Sequence, residues 1–234
     1  MTADAFEHSS DPAAQQEAAP AAERAAERRR MVEWHLEARG IRDRRVLDAM
    51  GSVPREAFLP PALARDAYAD SPLPLGGGQT ISQPYIVALT AEAAGLRPGD
   101  RVLDVGTGSG YAAAVYAAIV GEVWSVEFVP ELADDARRRL AAAGVHDVHV
   151  VTGDGTLGLE QHAPFDAILA AAAGPDIPRP WIDQLAEGGR IVMPLERSAG
   201  WQQLVRVTKH GSDVTVDDLG AVRFVPLRGA HGTG

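Results

Sequence analysis

The chain has 234 residues, of which 46% are hydrophobic, so it can form one sizeable core with appendages. Its formal net charge of -10 argues against a broad nucleic-acid-binding face, and its 0 cysteines exclude a disulfide framework or a cysteine–zinc site. No apolar run approaches the roughly 20 residues of a membrane helix, and residues 1–30 lack the apolar core of a signal peptide. The scattered histidines indicate surface or packing roles. We expect a cytoplasmic protein without metal, nucleic-acid or membrane partners.

Residues 1–30 are rich in alanine, glutamate, glutamine and proline and almost devoid of large apolar side chains. Such a segment cannot bury enough surface to offset its ordering entropy, so we predict a disordered tail over 1–30 and a folded domain over 31–234. Residues 21–30 could become helical by joining the next helix, and an arm that binds a partner is the alternative interpretation. A chain that starts near Met31 should keep its stability and activity.

Two short amphipathic helices are predicted next, over 31–39 and 43–50, separated at Gly40. Prolines then interrupt the helical pattern over 53–61 and again over 68–75, which indicates loops. These loops lead into a polar stretch that begins with three glycines.

The polar stretch over 76–85 is predicted to be a mobile loop. Pro84 suits the first turn of a helix predicted over 85–94. Ser82 or Gln83 could therefore cap that helix or contact a substrate, and the pattern alone does not decide between the two.

A glycine-rich turn over 106–110 is the most informative feature of the sequence. It follows a short apolar strand predicted over 102–105 and precedes an alanine-rich helix predicted over 111–120. Such a turn lets the backbone approach a ligand closely. Tyr111 stands where a dinucleotide-binding motif requires its third glycine, and Asp104 would repel a pyrophosphate but attract a cation.

Two further predicted strands also end near an acid. The strand over 123–127 ends in Glu127, which suits two ribose hydroxyls, and the strand over 148–151 leads into Asp154, which suits the amino group of adenine. S-adenosylmethionine carries an ammonium, a sulfonium and an adenosine but no phosphate. The three acids together favour that cofactor over the alternative that they are solvated strand ends.

The alternation of strands and helices continues to the end of the chain. We predict a strand over 165–173, a short helix over 177–185 and a strand over 190–194. The segments 202–208 and 221–227 lack an intervening helix and indicate an antiparallel ending. The predicted fold class is α/β: a doubly wound, Rossmann-like, mostly parallel sheet with antiparallel C-terminal strands and N-terminal helices.

Seven short motifs occur between about residue 31 and residue 227. They are Arg39-Gly40-Ile41, Val53-Pro54-Arg55, Gly78-Gln79-Thr80-Ile81-Ser82-Gln83-Pro84, Leu103-Asp104-Val105-Gly106-Thr107-Gly108-Ser109-Gly110-Tyr111, Gly153-Asp154-Gly155, Pro164-Phe165-Asp166 and Val222-Arg223-Phe224-Val225-Pro226-Leu227. On these motifs the sequence resembles the protein-L-isoaspartate O-methyltransferase family over this range. The resemblance implies methyl transfer from S-adenosylmethionine to the free carboxylate of L-isoaspartyl residues in damaged proteins. It also implies repair of these residues through a succinimide.

The resemblance also implies roles for single residues. Ser82 matches the active-site serine of the family. The residues that match its cofactor site are Asp104, Gly106, Thr107, Gly108, Ser109, Gly110, Glu127, Asp154 and Gly155. Those expected to contact the substrate are Gln79, Thr80, Ile81, Gln83 and Arg223. Gly77 departs from the histidine of many bacterial members, and residues 170–174 depart from the usual Thr-Ala-Ala-Ala-Pro sequence, so both leave substrate preference open.

Two other functions remain open at this point. One is a specialised relative that methylates an aspartate in one dedicated peptide and uses the tail for recognition. The other is a regulatory protein that binds S-adenosylmethionine without turnover, which the intact Ser82 and the three acids disfavour. The expected partners are proteins and peptides with isoaspartyl residues, and the expected state is a monomer.

Overall fold

The structure is a computed structural model that describes residues 12–76, 78–197 and 200–233. Its α-helices are α1 (Pro12–Met31), α2 (Arg44–Ser52), α3 (Pro84–Ala94), α4 (Tyr111–Val120), α5 (Pro130–Ala142) and α6 (Arg179–Gln184). Its strands are β1 (Leu73–Gly76), β2 (Gln79–Ile81), β3 (Val102–Val105), β4 (Val123–Glu127), β5 (Val148–Thr152), β6 (Phe165–Ala170), β7 (Leu185–Glu196), β8 (Gln202–His210) and β9 (Asp213–Val222). None of the helices in these residues has the length and apolar character needed to cross a bilayer.

Seven strands form one sheet in the order β5-β4-β3-β6-β7-β8-β9. The pairs from β5 to β7 are parallel, whereas β8 pairs antiparallel with both of its neighbours. β3 is the middle one of the five parallel strands, and all four of its residues are buried, as expected for a strand covered on both faces. The predicted fold class is confirmed.

The winding direction reverses beside β3. From β3 the chain builds β4 and then β5 on one side, and it returns to place β6 on the other side. The carboxyl ends of these four parallel strands meet at one edge of the sheet, and ligands of such folds bind at this edge where the order reverses. Alternate residues of β3 enter two separate cores, since Val102 packs in one and Leu103 in the other.

The antiparallel end of the sheet corrects one prediction. The last strand is β9, which ends at Val222, so the strand predicted over 221–227 is wrong. β9 pairs with β8 around a two-residue turn at Gly211 and Ser212, and its polar composition hid it from the hydrophobic pattern. The segment 223–227 instead leaves the sheet and follows the edge where the parallel strands end.

The N-terminal part also differs from the prediction. The predicted boundary at residues 30 and 31 falls inside α1, and Met31 is buried. The Arg28 guanidinium donates to the Gly51 carbonyl oxygen at 2.9 Å and to the Tyr68 hydroxyl at 3.2 Å. The C-terminal end of α1 is therefore packed on the domain. Residues 1–11 lie outside the described residues, so the disordered tail stays a prediction for them.

The next elements match the prediction in part. The helix predicted over 31–39 is instead a π-helical turn over Val32–Leu36 and a 3-10 turn over Glu37–Arg39. The second predicted helix is confirmed as α2, and Asp43 caps it by accepting from the Arg45 backbone N–H at 2.9 Å. The loop predicted over 76–85 contains β2, which pairs with β1 in a small separate sheet. Gly77 lies outside the described residues.

Candidate active site

A cavity of about 1040 Å³ opens at the edge where the parallel strands end. It extends from the β2–α3 junction, across the ends of β3 and β4, to the segment that follows β9. Nine of the residues predicted for the site line this cavity: Gln79, Thr80, Ser82, Gln83, Gly106, Gly108, Glu127, Gly155 and Arg223. The structure thus brings together residues that are up to about 140 positions apart in the sequence.

The glycine-rich turn shapes the floor of the cavity. Gly106 has a φ of 93°, in the left-handed region that favours glycine. Its N–H donates to the Val126 carbonyl oxygen at 2.8 Å, which ties the turn to β4. Thr107 and Ser109 are buried within the turn and do not line the cavity, and Gly110 occupies the N-cap position of α4. These three residues set the shape of the turn.

Glu127 joins the turn to the end of β4. One carboxylate oxygen accepts from the Gly108 N–H at 2.9 Å and the other from the Val129 N–H at 3.0 Å. The side chain is buried, yet it lines the cavity. Each carboxylate oxygen has two lone pairs, so Glu127 can still accept hydrogen bonds from hydroxyl groups of a ligand.

The sequence predicted that Asp104 faces a cationic ligand, but its side chain lies beneath the cavity floor. It is buried, it does not line the cavity, and it accepts from the Ser125 hydroxyl at 2.6 Å. The Ser125 oxygen also lies 2.6 Å from the Thr107 hydroxyl oxygen. Burial raises the pKa of Asp104 to about 7; the Ser125 hydrogen bond opposes this rise and the negative charge of Glu127 adds to it. Asp104 therefore supports the turn from beneath.

Both oxygens of the Asp154 carboxylate accept hydrogen bonds from within the protein. One oxygen accepts from the Thr156 N–H at 2.9 Å and hydroxyl at 2.6 Å, and the other accepts from the Ala230 N–H at 2.8 Å. Burial raises the pKa of Asp154, but these hydrogen bonds and the charge of His231 together hold it below its ordinary value. Asp154 does not line the cavity, whereas Gly155 does. The contact with Ala230 spans 76 positions, and no sequence signal predicts it.

Gly155 is required by packing. A Cβ atom at this position would lie 2.6 Å from Cγ1 of Val105 at the end of β3. Only glycine lets the chain after β5 approach β3 this closely, and the approach closes the cavity floor between the two strands.

The structure bears on the two roles left open for Ser82 and Gln83. Gln83 is the N-cap residue of α3, and no side chain caps that helix. The Gln83 amide donates to the Asp70 carbonyl oxygen at 3.0 Å instead. The Ser82 hydroxyl has no hydrogen-bond partner among the described residues, and it lines the cavity. Gln83 therefore occupies the predicted N-cap position without a capping hydrogen bond from its side chain, and Ser82 is not the N-cap residue. Ile81 is buried and belongs to the core.

Several residues that line the cavity were not predicted. They include Phe128, Trp201, Gln202, Phe224 and Arg228. The Gln202 side chain donates to the Phe224 carbonyl oxygen at 3.1 Å and accepts from the Phe224 N–H at 2.5 Å. This pair fixes the segment after β9, and with it Arg223, against the start of β8.

The sequence profile of the protein-L-isoaspartate(D-aspartate) O-methyltransferase family matches residues 26–232. The chain belongs to this family. The match begins inside α1, five residues before the predicted domain boundary. Membership confirms the predicted enzyme class and its use of S-adenosylmethionine to methylate isoaspartyl residues.

Individual relatives cover nearly the whole chain. A protein-L-isoaspartate O-methyltransferase from Methanoculleus marisnigri is 53% identical over 206 residues, which are 88% of this chain and 93% of the relative. One from Methylorubrum extorquens is 55% identical over 215 residues, which are 92% of this chain and 93% of the relative.

Solved structures show the same fold. One protein-L-isoaspartate O-methyltransferase aligns with a TM-score of 0.79 and 32% identity over 87% of this chain and 67% of its own. A Plasmodium falciparum structure assigned to the same activity, solved with S-adenosyl-L-homocysteine, aligns with a TM-score of 0.76 and 27% identity over 86% of this chain and 98% of its own.

Proposed function

We propose that this enzyme acts on isoaspartyl residues of many different proteins and that Ser82 holds the carboxylate to be methylated. One observation carries the proposal. The Ser82 hydroxyl, without a partner among the described residues, lines the same cavity as Glu127 and the glycine-rich turn. A hydroxyl in this position can donate to a substrate oxygen without first breaking a bond inside the protein.

The residues present fit S-adenosylmethionine. Gly106 and Gly108 line the floor of the cavity without side chains, and Glu127 retains acceptor capacity there. Val126 and Phe128 supply apolar contacts beside Glu127. We assign Glu127 to the ribose hydroxyls and the backbone around Gly106 and Gly108 to the amino-acid part. When bound, the cofactor supplies a methyl group on a positively charged sulfur.

The chemistry needs orientation rather than a base. A free α-carboxyl group has a pKa of roughly 3.5, so it is ionised at neutral pH and is already a nucleophile. Ser82 would donate to one carboxylate oxygen and leave the other to attack. Arg223 is exposed and lines the cavity, where its positive charge favours the arriving carboxylate. Holding the reacting atoms in line is the main catalytic contribution of the chain.

Methylation of paired peptides tests the proposal. The unmodified enzyme should methylate an isoaspartyl peptide and leave the aspartyl peptide of the same sequence unmodified, and it should do so for several unrelated sequences. Ser82→Ala removes one charge-assisted hydrogen bond of about 1.5–3 kcal/mol, so kcat/KM should fall roughly 10- to 150-fold. The melting midpoint should stay unchanged, because Ser82 caps no helix.

Ser52→Ala is a matched control, since the Ser52 hydroxyl donates to the Ala49 carbonyl oxygen at 2.9 Å and does not line the cavity. It should keep full kcat/KM. Near-normal methylation by Ser82→Ala would remove Ser82 from the mechanism. Activity on the aspartyl form of a single peptide would instead support the dedicated-peptide alternative.

We further propose that the enzyme works as a cytoplasmic monomer without nucleic-acid partners. The net charge of -10 supports the absence of nucleic-acid binding, because phosphates would be repelled. A complete site within one chain supports the monomer. Sedimentation velocity at micromolar concentration tests the oligomeric state, and a dimer of constant mass would contradict it.

A further inference from the structure

Two tryptophans are largely exposed to solvent. The side chain of Trp201 is 67% exposed and that of Trp34 is 61% exposed. They differ in location, because Trp201 lines the cavity and Trp34 does not. An indole ring has a large apolar surface, and leaving it in water at the mouth of a binding cavity points to a contact made only when substrate is present.

The backbone of Trp201 is fixed although its side chain is exposed. Its carbonyl oxygen accepts from the Arg197 N–H at 2.6 Å. The next residue, Gln202, pairs with Val222 in the sheet and holds Phe224 through its side chain. Trp201 therefore extends from an anchored position, and ordering it on binding costs little backbone entropy.

Trp201 lies next to the predicted carboxylate-binding side of the cavity. β8 begins at Gln202, which pairs with Val222 at the end of β9. Trp201 directly precedes this pair and Arg223 directly follows it, so both residues adjoin the same end of the two strands. The described residues contain no stacking contact between this arginine and the indole ring, so the ring is available on that side.

The charged residues that line the cavity indicate which groups of a substrate each part of the cavity can contact. Arg223 and Arg228 line the cavity and form no ion pair with the described residues. Glu127 is the only acidic residue among the described lining residues, and backbone N–H groups engage both of its oxygens. The arginines therefore suit carboxylates, and Trp201 is left to contact an uncharged group of the same substrate.

We propose that Trp201 is a specificity-determining residue that contacts an aromatic or large aliphatic side chain next to the isoaspartyl residue. This inference rests on the proposed function, because it requires a polypeptide that continues past the methylated residue and out over the cavity mouth. It adds a preference among damaged sites: those flanked by apolar side chains are methylated more efficiently than those flanked by small ones.

Two isoaspartyl peptides that differ only by phenylalanine or alanine beside the reactive residue test this proposal, in versions with the change on either side. The unmodified enzyme should show a kcat/KM about 3- to 10-fold higher for the phenylalanine peptide, mainly through KM. Trp201→Ala should bring this ratio close to one, and Trp201→Phe should keep most of it. Trp34→Ala is matched in residue type and exposure and should retain the ratio of the unmodified enzyme.

The outcomes separate this proposal from the proposed function. If the unmodified enzyme methylates neither peptide, the proposed function itself fails. If it methylates both equally well, or if Trp201→Ala keeps the preference, Trp201 does not determine specificity although the enzyme acts on isoaspartyl residues. An equal loss on both peptides would assign Trp201 a general role in substrate binding and would also overturn the proposal.

Discussion

Replacing Asp104 by asparagine should make the enzyme less sensitive to rising pH. Burial raises the pKa of Asp104 from its ordinary value of 3.8 to about 7. Between these two pH values the folded state holds a proton that the unfolded state has lost, so stability falls as pH rises through this range. The rise spans roughly 3 pH units at about 1.4 kcal/mol each, which gives a full cost near 4 kcal/mol above pH 7.

Asparagine keeps the shape of the side chain and an acceptor oxygen for the Ser125 hydroxyl, but it cannot ionise. Its amide N–H group brings a desolvation cost that does not depend on pH. The informative quantity is therefore how the difference in unfolding free energy between Asp104→Asn and the unmodified enzyme changes with pH. It should shift in favour of the variant by about 2–3 kcal/mol between pH 5 and pH 7.5.

Urea denaturation at a series of pH values measures this difference directly. Asp48→Asn is a suitable control, since Asp48 is exposed and its ion-pair partner among the described residues is Arg44. A constant difference for Asp104→Asn would mean that Asp104 titrates normally in the folded enzyme. If Asp104 acts on the cationic cofactor, as the sequence predicted, saturating S-adenosylmethionine should flatten the pH dependence of the unmodified enzyme.

Three other changes have defined outcomes. Glu127→Ala should weaken S-adenosyl-L-homocysteine binding by about 1.5–3 kcal/mol in calorimetry, and unchanged affinity in a folded variant would exclude Glu127 from the site. Gly155→Ala should lower the unfolding free energy by about 1–3 kcal/mol, because the new Cβ would overlap the Val105 side chain. Normal stability would mean that the chain after β5 can move away from β3 without cost. Deleting residues 2–23 should leave the melting midpoint unchanged. Deleting residues 2–30 also removes the hydrogen bonds of Arg28 and should lower the unfolding free energy by about 1–3 kcal/mol. Equal midpoints for the two deletions would show that the end of α1 contributes nothing to stability.

The central strands could be predicted because they are short apolar runs between clear turns. β3, with four buried residues, is the simplest example. β9 could not, because an edge strand with one solvated side has a polar sequence, and pairing with β8 rather than burial stabilises it. The end of α1 was also missed, because its docking depends on hydrogen bonds from Arg28 to groups more than 20 positions away.

The sequence could predict which residues meet at the cavity where one motif supplies both a strand end and a turn, as at Gly106 and Glu127, whose contacts with the cofactor stay predictions. Asp104 shows the limit of this reasoning. The sequence places it at a strand end but leaves open which face of the strand it occupies, and it shares the face of Val102 beneath α4. Trp201 had no signal at all, because its importance comes from exposure beside a cavity formed by distant segments.

The hydrogen bonds that hold the Asp154 carboxylate bear on how readily this enzyme forms isoaspartyl residues itself. Isoaspartyl linkages form in two steps. The next residue's backbone nitrogen attacks the side-chain carbonyl carbon and expels ammonia from asparagine or water from aspartate, and water then opens the resulting succinimide at its α-carbonyl carbon. A following glycine hinders the attack least. The sequence contains no asparagine, and its single Asp-Gly pair is Asp154-Gly155. There Thr156 and Ala230 hold the carboxylate in place, and an ionised carboxylate is a poor electrophile. We expect this arrangement to slow the attack at the one Asp-Gly pair of the enzyme that repairs the same lesion in other proteins.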